Sequence, residues 1–281
     1  MDEGLIAWVG LSLCEGIGGV KLRRLLNRFG DVSTILSACV DDLQTVKGIH
    51  ASVAHQIQAI QLDKLADDIH RWQSAQQIRI ITWESPDYPQ LLLAIPDAPP
   101  TLFITGNPSI WKGQQLYAIV GTRTPTRSIR DKTIRLSHDI TQKGHLVLSG
   151  LAEGVDTAAH LGTFVDKNGR TIAILGSGLC HIYPKHNRAL ADAILERGGA
   201  LISEVAPDSQ VSAWGLVGRN RIITAMSEAV IVMQTSLEGG AMHAVKFARQ
   251  QHKPIYADNN IATGNRAILA DGGHDLAIFN L

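Results

Sequence analysis

The stretch that most constrains the fold runs from Gly169 to Ser203, GRTIAILGSGLCHIYPKHNRALADAILERGGALIS. It opens on an apolar run, Thr171–Leu175, short and rich in β-branched residues, as a strand buried on both faces of a parallel sheet requires. At its C-terminal end the chain breaks into Gly176-Ser177-Gly178. Pro184 and Asn187 then introduce a helix over Arg188–Glu196, with Ala189, Leu190, Ala193 and Ile194 on one face. Gly198-Gly199 ends that helix, and Ala200–Ser203 reads as the next strand. This is a βαβ unit with a glycine turn at its strand tip, the place where ligands sit in open α/β sheets.

The same rhythm fills the chain from Gln115 onward. Strand-like runs fall at 116–120, 145–148, 171–175, 200–202, 229–233 and 254–257, with helical patterns at 127–143, 155–166, 188–197, 219–227 and 240–251. Such alternation predicts an α/β fold, a Rossmann-like parallel sheet with flanking helices. The front of the chain differs. Residues 1–75 read as all-helical, in two similar segments: Gly16-Ile17-Gly18 leads into a helix bearing Val20, Leu22, Leu25 and Leu26, and Gly48-Ile49-His50 leads into one bearing Ala54 and Ile57. Both resemble the helix-hairpin-helix motif, whose turn offers backbone N–H groups to phosphate. The same pairing also serves as a plain compact helical fold. The predicted organisation is a helical, SAM-like helix-hairpin-helix domain over 1–76 and a Rossmann-like domain over 77–281. Between 85 and 106, five prolines (Pro86, Pro89, Pro96, Pro99, Pro100) predict an extended connector without helix and with one strand, 101–105.

Four strand ends converge on one kind of chemistry. The first carries Gly121-Thr122-Arg123 and leads into a helix starting with Arg127 and Arg130. The second carries Ser149-Gly150, and the third Gly176-Ser-Gly178 with Lys185, His186 and Asn187 within reach. The fourth carries Gly239-Gly240 before the helix with Lys246. Helix N-termini with guanidinium groups beside them attract anions. A strand-to-helix turn uses glycine whatever it binds, so the inference of a phosphate site rests on several turns in register with Arg123 and Lys185 beside them. A last cluster, Arg219-Asn220-Arg221, is expected just ahead of a helix, with one arginine free to hold phosphate and the other tied into the core. No turn completes the G-x-G-x-x-G dinucleotide fingerprint, so no cofactor is expected.

Composition narrows the class. The 281 residues are 45% hydrophobic and 19% charged, as in a globular protein with a sizeable core. No apolar run reaches membrane-spanning length, and the acidic start MDEGLIAWVG lacks the basic head of a signal peptide. Cys14, Cys39 and Cys180 are odd in number and widely spaced, which predicts reduced thiols in a cytoplasmic protein. The histidines from His138 onward form no H-x-H or H-x-x-x-H pair, so no metal site is expected. Neither a G-x-S-x-G elbow nor a P-loop is present, and no catalytic residue is assigned. The net charge of zero divides unevenly. Residues 1–114 hold nine basic and twelve acidic side chains, residues 115–281 seventeen and fourteen. An imbalance this small does not by itself announce a nucleic-acid binder, so local clustering carries more weight.

The motifs IVGTRTPT (119–126), SGLAEGVDTAAH (149–160), TIAILGSGL (171–179), IYPKHN (182–187), ISE (202–204) and GRNRIITAMS (218–227) together resemble the DNA-processing protein A family, DprA, also called Smf. The resemblance spans about residues 78–270, and the helical front is similar to that family's small N-terminal domain. It implies an extended Rossmann fold and single-stranded-DNA binding without catalysis. It also implies a homodimer and the loading of RecA recombinase onto DNA during natural transformation. Phosphate contacts are then expected from Thr122, Arg123, Arg127, Ser149, Lys185, Asn187, Arg219, Asn220 and Arg221, with backbone N–H groups of Gly121, Gly150, Gly176, Gly178, Gly239 and Gly240 approaching the strand. The chain departs from the family at Glu153, where arginine is usual, at Leu216-Val217, at Leu237–Ala241 and at Ala257-Asp258. The winged-helix domain that some members carry at the C-terminus has no counterpart within these residues. A small-nucleotide sensor or nucleotide-processing enzyme on the same fold is the alternative.

Overall fold

The computed structural model describes residues 2–280. They divide into two compact units, one running to residue 88 and including 93–103, the other holding 89–92 and 104 onward.

The first unit is helical. Helices α1 (Glu3–Leu13), α2 (Gly19–Phe29), α3 (Val32–Ser37), α4 (Val40–Gln44), α5 (Ala51–Gln58) and α6 (Leu62–Ser74) precede a strand, β1 (Arg79–Thr82). Leu22, Leu25, Ile35, Leu43, Ala54 and Ile57 meet in one core with Trp8 and Leu11. The two hairpin turns read from the sequence are present. Gly16 and Gly48 adopt φ of 82° and 92°, a left-handed backbone that glycine reaches without a Cβ clash. Each leads into a helix, α2 and α5, whose N-cap position is Gly18 or His50.

The connector holds one departure from expectation. A single helical turn, α7 (Gln90–Leu93), interrupts it before β2 (Thr101–Gly106). Pro89 stands immediately ahead of Gln90, and proline is tolerated at a helix start because the N–H it lacks would have no partner there. The prolines limit the helix to one turn but do not exclude it.

The second unit is the α/β domain. Strands β3 (Leu116–Val120), β4 (Leu146–Ser149), β5 (Thr171–Ile174), β6 (Ala200–Ser203), β7 (Ala229–Val232), β8 (Ile255–Ala257) and β9 (His274–Asp275) alternate with helices α8 (Arg127–Gln142), α9 (Val155–Thr163), α10 (Arg188–Glu196), α11 (Ala213–Met226), α12 (Ala241–Gln250) and α13 (Thr263–Ala270). The strands lie in the order β6-β5-β4-β3-β7-β8-β9, each parallel to its neighbours. Every residue of β3, β4, β5, β6 and β7 is buried, which is why these strands read as continuous apolar runs and not as alternations. The chain builds outward from β3 to β6, then crosses back to place β7 on the other side of β3. The order therefore reverses between β3 and β7, and the C-terminal tips of all these strands share one edge. Among the described residues, no helix is long and apolar enough to cross a membrane.

Helix α11 begins at Ala213, six residues before Arg219, so Arg219-Asn220-Arg221 lies inside the helix and not ahead of it. The cause is local and tertiary together. Ser212 caps the helix, its Oγ accepting from Gly215 N at 2.9 Å. Gly215 then lies against the turn after β5: a Cβ there would fall 2.3 Å from the Gly176 oxygen, and a Cβ on Gly176 would fall 2.7 Å from Leu216 Cα. Gly215, which would weaken a helix in isolation, and Gly176 in the turn opposite are together the condition for this close backbone contact.

Candidate nucleic-acid interface

Three of the four glycine turns meet at the strand tips. A recess of about 290 Å³, its mouth included, is lined by Arg123 from the loop after β3, Ala152 and Glu153 from the loop after β4, and Tyr183 and Pro184 from the loop after β5. Leu216 and Arg219 of α11 complete it. The fourth turn, with Gly239 and Gly240, does not line the recess. Its strand adjoins the first loop instead: Thr122 N donates to Gln234 O at 2.7 Å and Thr126 N to Gln234 Oε1 at 3.0 Å.

Arg123 and Lys185 are exposed, and neither side chain makes a hydrogen bond or ion pair among the described residues. Arg127 is exposed as well and lies 3.9 Å from Asp131 one turn along α8. Thr126 caps that helix, its Oγ1 accepting from Ile129 N. Thr122 Oγ1 accepts from Thr124 N at 3.2 Å, which shapes the loop that carries Arg123.

Arg219 forms the inner wall of the recess and is 6% exposed. Its Nη1 donates to the carbonyls of Gly150 and, at 3.2 Å, Ile174, at the tips of β4 and β5. Its Nη2 faces Asp156 Oδ2 at 3.8 Å, while its buried Nε has no hydrogen-bond partner. Burial pushes the Asp156 carboxyl up, opposed by Arg219 and by the N–H groups of Ala152 and Gly150; burial likewise pushes Arg219 down, opposed by Asp156, with Arg123 adding to the decrease. A guanidinium stays charged through such a shift, so a cation is held in the wall of the recess.

Several residues expected at the ligand are spent inside the protein. Arg221 is 9% exposed and grips Glu204 with two hydrogen bonds of 2.6 Å. The expectation that one of the two arginines stays free is therefore corrected: α11 carries both into the interior, each toward a carboxylate from another element. Asn220 Nδ2 turns back to the carbonyls of Leu216 and Val217. Ser149 Oγ donates to Ile119 O at 2.7 Å, and Asn187 Nδ2 ties the third turn to the second through Leu151 O at 2.9 Å and Thr157 Oγ1 at 3.0 Å. The backbone N–H groups of Gly150, Gly178 and Gly239 donate to Asp156 Oδ2, Ser209 O and Ser236 O. Gly121 is half-buried and Gly176 buried, and an added Cβ would strike Val155 and Leu216 respectively. These glycines admit neighbouring parts of the protein. Gly240 caps α12 with nothing within 4 Å of an added Cβ.

Sequence reasoning missed Glu204 and Asp156, the two carboxylates that fix the arginines. Glu204 directly follows β6, and an acid at a strand tip in a chain with two buried arginines is the signal that was there to use. His160 sits deep in α9, fully buried, with Nδ1 2.9 Å from Thr171 Oγ1. Thr171 Oγ1 in turn donates to Val147 O, an arrangement that suits a proton on His160 Nδ1. Burial, with Arg219 adding to it, lowers its pKa to about 3. Among the described residues no group of three or more metal-ligating side chains occurs.

The profile of the family described as DNA recombination-mediator protein A matches residues 79–276. The chain belongs to that family. A SAM-like helix-hairpin-helix tandem profile matches residues 11–60, the turns and helices of the first unit. Among curated relatives, the Smf protein of Synechocystis is 32% identical over 253 residues, covering 89% of this chain and 63% of its own length. The DNA processing protein DprA of Bacillus subtilis is 36% identical over 182 residues, covering 65% of this chain and 61% of its own length. The matched region thus spans about six-tenths of these relatives. The solved DprA of Streptococcus pneumoniae superposes with a TM-score of 0.82 over 100% of this chain and 99% of its own, at 24% identity, and shows the shared fold. A Helicobacter pylori DNA processing protein A, solved to reveal its single-stranded-DNA binding mode, superposes with a TM-score of 0.64 at 28% identity, covering 72% of this chain and 92% of its own.

Proposed function

We propose that this DNA recombination-mediator family member binds single-stranded DNA at the strand-tip recess, without catalysing a reaction on it. The observation that carries the reading is one arrangement of charge. Arg123 lines the recess and is exposed and unengaged, Lys185 is exposed and unengaged next to the lining Pro184, and the buried Arg219 backs the recess. Charge held in a partly water-excluded wall acts on an entering phosphate more strongly than the same charge in solvent. Arg123, Lys185 and Arg127 contact phosphates; Arg219 acts by its field from within the wall. Ser149, Asn187, Asn220 and Arg221 shape the loops from behind. Aromatic stacking is sparse, limited to Tyr183 and Trp214 near the basic groups, so backbone contacts dominate. The single-stranded-DNA binding mode of the H. pylori relative supports the reading.

The reading extends to the cell. The bound strand is handed to RecA recombinase by a homodimer of this chain in the cytoplasm, during uptake of transforming DNA. The naming of the relatives as DNA processing proteins supports a role in DNA processing.

Fluorescence anisotropy with a labelled oligonucleotide, beside calorimetry with mononucleotides, tests the reading. Single strands should bind more tightly than duplex, because the recess admits one backbone and not two. The logarithm of affinity should fall linearly with log salt, by roughly 0.7 per neutralised phosphate. Tight binding of a mononucleotide with no binding of oligonucleotides would replace this reading with that of a nucleotide sensor.

A further inference from the structure

The recess is lined by charges of both signs. Arg123 and Arg219 wall it, and so does Glu153. A bare phosphodiester entering it is drawn by the arginines and repelled by the carboxylate. Glu153 is not spent on those arginines. Its Oε1 lies 3.0 Å from His186 Nε2, and its side chain is 48% exposed. The half-exposed carboxylate lines the recess and so meets whatever enters. A carboxylate only accepts hydrogen bonds, so the complementary ligand carries an anionic group and, close to it, a hydrogen-bond donor. Tyr183 and Pro184 add a less polar wall beside these charges, and an aromatic face suits a flat ring.

One nucleotide of a single strand meets all three demands: phosphate, flat base, and an amino group on the base edge. Bases differ at that edge. Cytosine presents its N4 amino group where thymine presents the O4 acceptor, and glutamate accepts from cytosine N4. Thymine O4 sets one acceptor against another.

We propose that Glu153 is a base-reading residue, accepting from the cytosine amino group of a nucleotide whose phosphate lies toward Arg123 and Arg219, so that the strand-tip recess discriminates cytosine from thymine. This rests on the single-stranded-DNA reading above.

The test is anisotropy on labelled oligo-dC and oligo-dT of equal length, with the full chain and with Glu153→Ala, near neutral pH and at one salt concentration. The wild type should bind oligo-dC about fivefold or more tightly than oligo-dT, the low end of discrimination by a base-edge contact. Glu153→Ala should bring the two affinities together, chiefly by weakening oligo-dC. Glu153→Gln keeps the shape and offers both a donor and an acceptor, so it should lose the preference as well; it serves if the alanine variant melts early. Equal binding of both oligonucleotides by the wild type overturns the proposal while leaving the DNA reading intact. So does a preference that survives in both variants. An equal gain for both oligonucleotides on removing the carboxylate also overturns it, because Glu153 would then be a repelling charge only. If the wild type binds neither oligonucleotide, the DNA reading fails and the proposal falls with it.

Discussion

Arg221 and Glu204 face each other in parallel, Nη1 to Oε1 and Nη2 to Oε2, each at 2.6 Å, with only 11% and 12% of their side chains exposed. Two donors on two acceptors make a planar fork that fixes both side chains. The pair ties the middle of α11 to the tip of β6, and so holds in place the helix that presents Arg219.

Removing one partner leaves the other charge buried. Glu204→Gln should destabilise the protein by about 3–5 kcal/mol, the usual cost of breaking a buried pair. Urea denaturation should show a lower midpoint with an unchanged slope. A shift under about 0.5 kcal/mol would mean that water reaches Arg221 and replaces the carboxylate.

Arg123 and Lys185 should behave in the opposite way. Each alanine variant should weaken single-stranded-DNA binding by about 1–3 kcal/mol, the range for a hydrogen bond to a charged group. Melting should stay within about 0.5 kcal/mol of wild type, as for surface changes that break no contact. Anisotropy and thermal melts on the same preparations separate the two effects, and the salt slope should shrink in each variant.

Gly176→Ala tests the contact that places α11. The added Cβ would lie 2.7 Å from both Leu216 Cα and Leu216 N, backbone atoms that cannot swing aside. Overpacking of this kind costs about 1–3 kcal/mol. The displaced helix carries Arg219 with it, so DNA affinity should drop alongside stability, unlike in the Arg123 variant.

Acid should unfold the protein through His160. The fold holds this ring neutral, with its pKa lowered from 6.5 to about 3. Between those values the unfolded chain takes up a proton that the fold refuses. Stability from this group is complete above about pH 6.5 and is lost as the pH falls toward 3, by up to about 4–5 kcal/mol at about 1.4 kcal/mol per unit. His160→Gln, whose amide can still donate to Thr171, should flatten the pH dependence of the unfolding free energy between pH 6.5 and 4. An unchanged slope would show that the imidazole titrates normally in the fold.

The sequence by itself determined the alternation of strands and helices and the limits of the central βαβ unit. Helix α10 occupies Arg188–Glu196 and strand β6 occupies Ala200–Ser203, as read from local pattern. These limits are local because a strand buried on both faces must be a continuous apolar run, and because proline and glycine act on their own backbone. The two hairpin turns at Gly16 and Gly48 were legible for the same reason. Tertiary structure alone decided where α11 starts and what its arginines do. Gly215 and Gly218 argue locally against a helix, and only the approach of the Gly176 turn gives Gly215 a purpose. Arg123, Arg219 and Arg221 are alike as letters, yet one faces solvent and two are buried. What distinguishes them is whether a carboxylate arrives from elsewhere: Asp156 from the start of α9 and Glu204 from the tip of β6. Charge pairing of that kind depends on contacts between residues far apart in the chain, and no local pattern carries it.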